Sequence, residues 1–445
     1  MNDRAGDPTT VSAASPMSTT AAWSAVALLC VALLLSYTDR LIINLVVDPI
    51  RADLGLTDLE ISLLQGAGFA VIFALAGLPS GRLADRVNRR NLITAGLSLW
   101  SVATIFCGLA VDFWTFLLAR VAVGLGEAML VPAASSLIID SFSPRRRGLA
   151  LGTFSLGATF GAGSSLFIGG VVLGWIEAGR FAATPGLAAL EPWRQLMVLA
   201  GLPGLALVPL LLLVREPARR HSAGLVAISA VLARLISDNA TVLRICLVKG
   251  ALGVGDYALI AWLPTLLQRS HGMTPLQAGG LVGLSLTVSG VIASVAGGAL
   301  SDRFAQHWGV RSRAALLLGA YLLALIGALL FLLAQTGQQT ALAFAIWALG
   351  SVSGYVIGHV VMQESVPNEM RATTVALSLA VTALVGISLG PTLVPLVAEH
   401  GFGGEKGSLQ AAMGTISLGA ALLALVVIWR PASARLTELR KRSSG

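Results

Sequence analysis

Twelve apolar stretches, each long enough to cross the hydrocarbon core of a bilayer, run through this chain almost from end to end. A spanning helix needs about 20 apolar residues, because it rises about 1.5 Å per residue through a core about 30 Å thick. Hydrophobic residues make up 56% of the 445 residues and charged residues only 12%, which would leave a soluble protein unable to cover its own surface. We therefore predict an all-α integral membrane protein with twelve transmembrane helices. The predicted windows are 22–47, 59–81, 91–111, 114–138, 148–175, 195–214, 242–267, 277–300, 314–334, 341–363, 373–398 and 409–429.

The distribution of positive charge predicts how the chain is oriented. The tails and the loops on their side of the membrane hold 22 of the 30 Lys and Arg residues, the opposite loops hold five, and three lie inside the windows. Cytoplasmic loops of membrane proteins carry the excess of Lys and Arg. We expect both termini in the cytoplasm, in a multi-pass protein of a bacterial inner membrane. The net charge of +8 then reports orientation, and no nucleic-acid partner is expected.

The longest polar stretch between windows divides the helices six and six. It predicts a disordered cytoplasmic tail at 1–21, an N-terminal bundle at 22–214, a cytoplasmic linker at 215–241, a C-terminal bundle at 242–430 and a basic cytoplasmic tail at 431–445. A shift of 217 residues places identical residues opposite each other without a gap, which indicates a parallel repeat. Two such halves are typical of transporters that bind their substrate between the halves near the middle of the membrane. The matched pairs are Asp39 and Asp256, Thr57 and Thr274, Leu59 and Leu276, Gly66 and Gly283, Gly81 and Gly298, Leu83 and Leu300, Asp85 and Asp302, and Arg86 and Arg303.

Two loops carry a resemblance to a known superfamily. The segment GRLADRVNRR (81–90) resembles the signature loop of the major facilitator superfamily, and GALSDR (298–303) resembles its weaker copy in the second half. The segments SYTDRLIINLVVDPIRADLGLTDLEISLLQG (36–66) and GLPGLALVPLLLLVREP (201–217) are similar to the spinster family within that superfamily. The likeness covers nearly all of the N-terminal half and is weaker in the C-terminal half. It implies the major facilitator fold, with two six-helix pseudo-repeat bundles, and secondary transport by alternating access.

The signature loop is expected to act in gating. An acid at an inner helix end, such as Asp85, can bind the positive N-terminus of a facing helix or an arginine of the other half. The resemblance implies that this contact holds the cytoplasmic side shut while the opposite side is open. The alternative is a solvated loop that only marks topology. The predicted gating residues are Gly81, Asp85, Arg86, Arg89, Arg90, Asp302 and Arg303.

Charged residues inside the windows are the candidates for coupling and substrate contact, because each costs about 3 kcal/mol to place in a bilayer. The helical rise puts Asp39 roughly 12 Å and Arg120 about 9 Å from the outer boundary, with Glu127 near 20 Å. The segment RVAVGLGEA (120–128) resembles a superfamily motif that is linked with proton coupling. We predict Asp39 as the proton-titrating acid, Arg40 or Arg120 as its partner, and Glu127 as a second acid or a substrate contact. The alternative is a permanent structural ion pair between Asp39 and Arg120.

The second half offers fewer candidates. Asp256 is the repeat equivalent of Asp39, and with Tyr257 beside it we expect it to line the cavity. Lys249 lies two turns earlier, about 10 Å away, and could extend its amine to the inner surface. His359 could titrate near neutral pH, but a lone histidine is more often a packed polar residue, so the predicted site excludes it.

The predicted function is secondary active transport coupled to protons, for an amphiphilic lipid-like solute (a lysolipid or sphingoid lipid) or an organic anion. The alternatives are a proton-linked carrier of drugs or organic anions and, in a different class, a non-transporting membrane receptor. The sequence has no HExxH, GxSxG or P-loop motif and no clustered His ligands, so we expect neither an enzyme nor a cofactor nor a metal. A proton gradient would supply the energy. The expected partners are a small-molecule or lipid substrate, protons and the bilayer, and we expect a monomer.

Overall fold

The computed structural model of the protein describes residues 18–219, 240–308, 312–366, 368–405 and 407–443. Twelve helices in these ranges are long and apolar enough to cross a membrane, which confirms the windows to within a few residues. We number them spans 1 to 12. Their bounds are Thr19–Leu45, Asp58–Gly77, Arg89–Gly108, Phe113–Ser141, Arg145–Glu177, Pro192–Leu212, Thr241–His271, Pro275–Phe304, Ser312–Leu333, Gly337–Glu364, Thr374–Phe402 and Ser408–Ile428.

The spans pack as two sets of six with matching neighbours. In the first half, span 1 lies along span 5, and span 3 packs against spans 4 and 6. In the second half, span 7 lies along span 11, and span 9 packs against spans 10 and 12. The halves meet where span 5 crosses span 8 and where span 2 crosses span 11. This arrangement is the pseudo-repeat that the shifted sequence predicted.

The halves touch at one end of the molecule and separate at the other. We call the face that holds the start of span 1 and the end of span 12 the terminal face, and the opposite one the distal face. A Cβ atom at Gly163 of span 5 would stand 2.7 Å from the carbonyl oxygen of Gly283 of span 8, in the distal part of the crossing. Nearer the terminal face, Gly148, Gly152 and Gly298 on the same two spans have no other atom within 4 Å of that position.

Four spans are interrupted, which the windows did not predict. The α-helix of span 1 ends at Leu41 and continues as a 3₁₀ turn, and span 2 breaks at Gly66 between Asp58–Gln65 and Ala67–Arg86. Span 4 breaks after Glu127, and span 11 contains a π turn at Thr382–Ile387. Broken helices leave backbone carbonyls without intrahelical partners, and π turns are frequent at functional sites.

The repeat extends to the ends of the helices. Thr57 caps the first helix of span 2 in a capping box with Glu60, and its sequence partner Thr274 makes the same reciprocal bonds with Gln277 at the start of span 8. Gly66 and Gly283, also matched by the repeat, both lie where the halves cross. The sequence repeat therefore marks where helices begin and where they touch.

Parts of the predicted domain organisation lie outside the described residues, namely 1–17 of the N-terminal tail, 220–239 of the linker and 444–445 of the C-terminal tail. The helix that contains span 12 begins at Ser408 and continues to Ser443, through most of the predicted basic tail.

Candidate functional site

The helix breaks bring two charged side chains together in the middle of the first half. Arg40, near the end of the α-helix of span 1, meets Glu127, the last residue of the first helix of span 4. The guanidinium Nη2 lies 2.5 Å from the carboxylate Oε2, and Ser36 Oγ donates to the same oxygen at 2.7 Å. Both charged side chains are buried. Glu127 Oε1 and Arg40 Nε have no hydrogen-bond partner in the described structure, so the pair holds unused donor and acceptor capacity.

Aromatic rings surround the guanidinium of Arg40. Its Cζ atom lies 4.4 Å from the ring centre of Phe69, 4.8 Å from that of Tyr37 and 5.1 Å from that of Phe73. Aromatic faces attract a cation while excluding water. The rings therefore hold the arginine in place without neutralising it, which leaves neutralisation to Glu127.

Arg120 caps the ends of two helices. Its Nε donates to Leu64 O at 2.9 Å, and its terminal nitrogens donate to Asp39 O at 3.4 Å and to Arg40 O at 3.5 Å. These carbonyls lie in the last turns before the interruptions of spans 1 and 2, where a cation is favourable. Asp39 and Arg120 do share a level, as the helical rise predicted. No carboxylate in the described part of the chain lies within ion-pair distance of Arg120.

Asp39 does not make the ion pair that the sequence led us to expect. Its side chain is buried at 3% exposure, lies beside Trp100 and Thr104 of span 3, and has an Oδ1 without a hydrogen-bond partner in the described structure. Neighbouring residues on a helix point about 100° apart. Arg40 therefore faces span 4 while Asp39 faces span 3, and Glu127 receives the guanidinium instead. The alternative of a fixed Asp39–Arg120 ion pair is also absent from the described structure.

A small cavity of about 10 Å³ separates Arg40 from the second half of the molecule. Tyr257 of span 7, one of the predicted site residues, lines it from the other side. A space of this size is about one water molecule. The first half thus meets the second across a narrow polar gap. The lining residues are Arg40, Leu41, Asn44, Gln65, Tyr257, Ile260, Ala261, Ile387 and Pro391.

Polar contacts close the interface on the distal side of this cavity. Asn44 Nδ2 donates to Ile260 O at 3.2 Å, and Gln65 Nε2 donates to Ala261 O at 3.1 Å. Sequence reasoning missed both residues, although each is a polar amide inside an otherwise apolar window. That signal could have identified them.

At the distal face, Arg269 of span 7 joins two acids of the first half. Its guanidinium lies 2.6 Å from Asp48 and 2.7 Å from Asp58. Arg51 makes a longer contact of 3.5 Å with Asp58. We call Arg269, Asp48 and Asp58 the distal clasp. In the sequence, Arg269 is one of the five charges in the loops opposite the tails, and nothing local indicates that these loops meet.

In the second half, the central acid accepts hydrogen bonds from neutral donors. Asp256 accepts a hydrogen bond from Trp347 Nε1 at 2.7 Å and another from Ser351 Oγ at 2.8 Å, both on span 10. Within the described residues it has no cation as a partner. Two turns earlier in span 7, Lys249 Nζ lies 3.2 Å from His359 Nδ1, so the histidine that the prediction excluded meets the lysine.

The two signature loops are apart in this structure. Asp85, Arg86, Asp302 and Arg303 are exposed at the terminal face, and no ion pair joins the described side chains of one loop to those of the other. A Cβ atom at Gly81 would have its nearest neighbour 4.0 Å away, at Pro132 of its own half. The predicted contact between the halves is therefore not made in this arrangement.

Arg89 and Arg90 bind their own half. Arg89 is buried and contacts Asp140 at 2.5 Å and Glu216 at 2.7 Å, and the backbone N–H of Arg90 donates to Glu216. These bonds fasten the end of span 6 to spans 3 and 4. In the second half, Arg313 bonds in the same manner to Glu364. The arginines that we assigned to gating stabilise one bundle here.

No group of three His, Cys, Asp or Glu side chains within the described ranges could hold a metal ion. The site is thus built from an ion pair, a neighbouring acid, helix-capping cations and a polar interface. Such an arrangement can exchange protons and bind a polar solute between two halves.

Comparison with known proteins agrees with this architecture. The sequence model of the Major Facilitator Superfamily matches residues 29–391. A protein described as an MFS-type efflux pump from Mycolicibacterium smegmatis is 30% identical over 419 residues, which cover 91% of this chain and 89% of that protein. Protein spinster homolog 1 of Xenopus tropicalis is 27% identical over 422 residues, which cover 88% of this chain and 76% of that protein.

A solved structure is similar over nearly the whole chain. It is a bacterial homologue of the human lysosomal transporter spinster in an inward-facing and occupied conformation. The two share 26% identity with a TM-score of 0.77, covering 93% of this chain and 95% of the other.

Twelve spans in two similar halves, with a polar site between them, define a membrane transporter. The chain belongs to the Major Facilitator Superfamily and lies close to the spinster proteins. It is a secondary transporter of small molecules, in a family of transporters rather than enzymes.

Proposed function

We propose that this protein couples the transport of an amphiphilic lipid-like solute or an organic anion to protons, by alternating access. The observation that carries the proposal is the buried Arg40–Glu127 ion pair, with Asp39 one residue away, at the depth where spans 1, 2 and 4 are interrupted. Burying an ion pair costs desolvation free energy, and ionisable residues inside a membrane mark functional sites.

The arrangement supports an inward-facing state. The charge bias of 22 to five favours a cytoplasmic terminal face, and the halves are separate there. The distal clasp and the bonds of Asn44 and Gln65 close the other side. In the outward-facing state, Asp85 and its copy Asp302 would each contact the opposite half, and these contacts would close the cytoplasmic side.

Proton coupling follows from competition for Arg40. While Glu127 is ionised, it neutralises the guanidinium. A proton on Glu127 removes that neutralisation and frees the cation for an anionic group of the solute. Separation of the guanidinium from the carboxylate as the transporter changes state would favour the protonated acid. Asp39 is the second acid, which receives or delivers the proton from the side of span 3.

The experiment is flux in proteoliposomes that contain the purified protein, with and without an imposed pH gradient, across lysolipids, drugs and carboxylates. We expect uptake or efflux to follow the pH gradient, and Asp39→Asn to abolish this response while the protein still folds. Unchanged gradient dependence in Asp39→Asn would remove Asp39 from the mechanism. No gradient dependence in the unmodified protein would contradict proton coupling.

A second candidate is proton-linked efflux of drugs. The similarity to a protein described as an MFS-type efflux pump over 91% of this chain favours it. The same flux assay separates the two, because a drug carrier would transport structurally unrelated cations and anions alike, whereas the first proposal requires selectivity for amphiphilic or anionic solutes.

A further inference from the structure

Among the described side chains of the second half, one buried cation has no anionic partner. The side chain of Lys249 is 3% exposed, and its amine bonds to His359 Nδ1 at 3.2 Å. The ring centre of Tyr355 lies 5.2 Å from the same nitrogen, and the Tyr355 hydroxyl donates to the Lys249 carbonyl at 2.7 Å. Span 10 thus fixes both the backbone and the head group of this lysine.

The acids nearest along spans 7 and 10 are already bonded. Asp256 lies seven residues from Lys249, about 10 Å along the helix, and accepts from Trp347 and Ser351. Glu364, five residues after His359, binds Arg313. No carboxylate among the described side chains lies within ion-pair distance of Lys249.

The other buried cations of the described chain are neutralised or capped. Arg40 meets Glu127. Arg89 meets Asp140 and Glu216, and Arg313 meets Glu364. Arg120 donates to three backbone carbonyls. Among these cations, Lys249 alone has neither a carboxylate nor the carbonyls of a helix end as its partner, and the pair that it forms with His359 keeps one positive charge.

The chemistry of the pair leaves donors free. An ammonium group can only donate, so Nδ1 of His359 accepts and the ring proton lies on Nε2, pointing away from the lysine. The ammonium keeps two further N–H groups. Together they offer up to three donors and one positive charge, which matches a carboxylate or a phosphate group.

The pair lies nearer the terminal face than the cavity beside Arg40 does. His359 is half-buried, and the halves are separate on its side of the membrane. Eight residues farther along span 7, about 80° around the helix, Tyr257 lines the cavity beside Arg40. A solute that enters from the terminal face would therefore meet Lys249 before Arg40, about 12 Å away along the helix.

We propose that Lys249 and His359 form a binding subsite for the anionic group, carboxylate or phosphate, of the transported solute. This inference rests on the proposed transport function and narrows its substrate class to anions. Lys249 supplies the charge, and His359 orients the ammonium and adds a donor. A lipid head group and a small soluble carboxylate share this chemistry.

The test measures binding to the full-length protein in nanodiscs, by quenching of tryptophan fluorescence. The probes are lysophosphatidic acid with a lauroyl chain, monoacylglycerol with the same chain, and D-gluconate as a soluble anion. We expect Lys249→Met to weaken binding of the anionic probe by about tenfold to a hundredfold, the loss of one charge-assisted contact. Monoacylglycerol binding should change less than about twofold, since its head group is neutral.

Conservative and distant variants complete the comparison. Lys249→Arg should retain most of the affinity for the anionic probe, and His359→Gln should lower that affinity about threefold to tenfold. Arg180 is an exposed cation of a distal loop, so Arg180→Gln should bind the probe as the unmodified protein does. Preference for lysophosphatidic acid identifies a lipid head group as the ligand, and preference for gluconate identifies a soluble anion. If Lys249→Met does not fold, the Arg and Gln variants carry the test.

Three outcomes would overturn the subsite. The first is an equal loss of affinity for the anionic and neutral probes in Lys249→Met. The second is unchanged affinity in both Lys249→Met and His359→Gln, and the third is no binding of an anionic probe by the unmodified protein. Binding needs no gradient, so a transporter that ignores the pH gradient but binds anions through Lys249 would refute proton coupling alone.

Discussion

The two halves share one scaffold but hold their central charges differently. In the first half, Glu127 neutralises Arg40, and in the second, Asp256 accepts from the neutral donors Trp347 and Ser351. The shift of 217 residues that matches Asp39 with Asp256 also places Arg40 opposite Tyr257. The second half thus lacks the arginine that would make a pair.

Elements near the membrane faces did not diverge in this way. A shift of 224 residues places Arg89 opposite Arg313 and Asp140 opposite Glu364, and both halves form the resulting ion pair. The same shift places Glu127 opposite Ser351. The repeat therefore conserves the contacts that hold helices together and changes those at the centre. Under the proposed function, coupling would belong to the first half, and under the proposed subsite Lys249 would give the second half a role in binding.

The largest expected difference between the halves is the loss in free energy of unfolding when a residue of each central site is replaced. Arg40→Met leaves the Glu127 carboxylate buried without a cation, which should cost about 3–5 kcal/mol. Asp256→Asn keeps the volume and can still accept from Trp347 or Ser351, so we expect a loss of about 1 kcal/mol. Thermal unfolding in one detergent measures both. Equal losses would mean that the two acids have equivalent surroundings.

The two crossings between the halves should respond alike when a glycine is replaced by a larger residue. A Cβ atom at Gly66 would stand 2.5 Å from Ile387 O, so Gly66→Val should oppose distal closure by about 1–3 kcal/mol. Gly283→Val should act in the same direction at the paired crossing. The measurement is the distance between spin labels on Ala183 and Gln335, in a cysteine-free background. Gly298→Val, with open space around it, is the control, and an equal change there would contradict the steric explanation.

The distal clasp should contribute less to the free energy of distal closure than the glycine crossings do, because it is partly exposed. Arg269 is 27% exposed in the side chain and bonds to two acids, so Arg269→Gln should shift the same label distance toward opening by about 1 kcal/mol. Arg51→Gln, with one long contact and 47% exposure, should shift it by less than about 0.5 kcal/mol. High salt should reduce the effect of Arg269→Gln. A salt-independent effect would point to packing instead of charge.

The smallest expected effect is at two matched helix caps. Asp112 caps span 4, where the backbone N–H of Thr115 holds the pKa of this carboxyl below its usual range, and Thr336 caps span 10 with a neutral hydroxyl. A lowered folded-state pKa gives stability that is present above the unfolded pKa and is lost as pH falls through the folded value. Acid should therefore weaken only the first cap. Hydrogen exchange in the first turns of spans 4 and 10, compared below pH 4, tests this expectation, and parallel changes would contradict it.

Much of the fold could be predicted because it follows from local signals. Hydropathy gave the twelve spans, and the matched glycines and threonines gave the repeat, since both depend on residue type and spacing. The helical rise also placed Asp39 and Arg120 at one level, where Arg120 now caps the Asp39 carbonyl.

The site was harder to predict because it depends on how each helix is rotated. The sequence shows that Asp39 and Arg40 are adjacent, but not which of them faces span 4. It also gave no local signal for the meeting of Arg269 with Asp48, or of Lys249 with His359, because these contacts join distant segments. The interruption at Gly66 depends on the crossing with span 11 and was equally invisible.

The most direct test of proton competition at Arg40 compares solute exchange with solute accumulation in Glu127→Gln. The neutral amide imitates a permanently protonated acid and can still accept from Ser36. We expect Glu127→Gln to exchange solute across the membrane at equal pH but to lose accumulation driven by a pH gradient, while Asp256→Asn retains both. Gradient-driven accumulation of undiminished size in Glu127→Gln would contradict the mechanism.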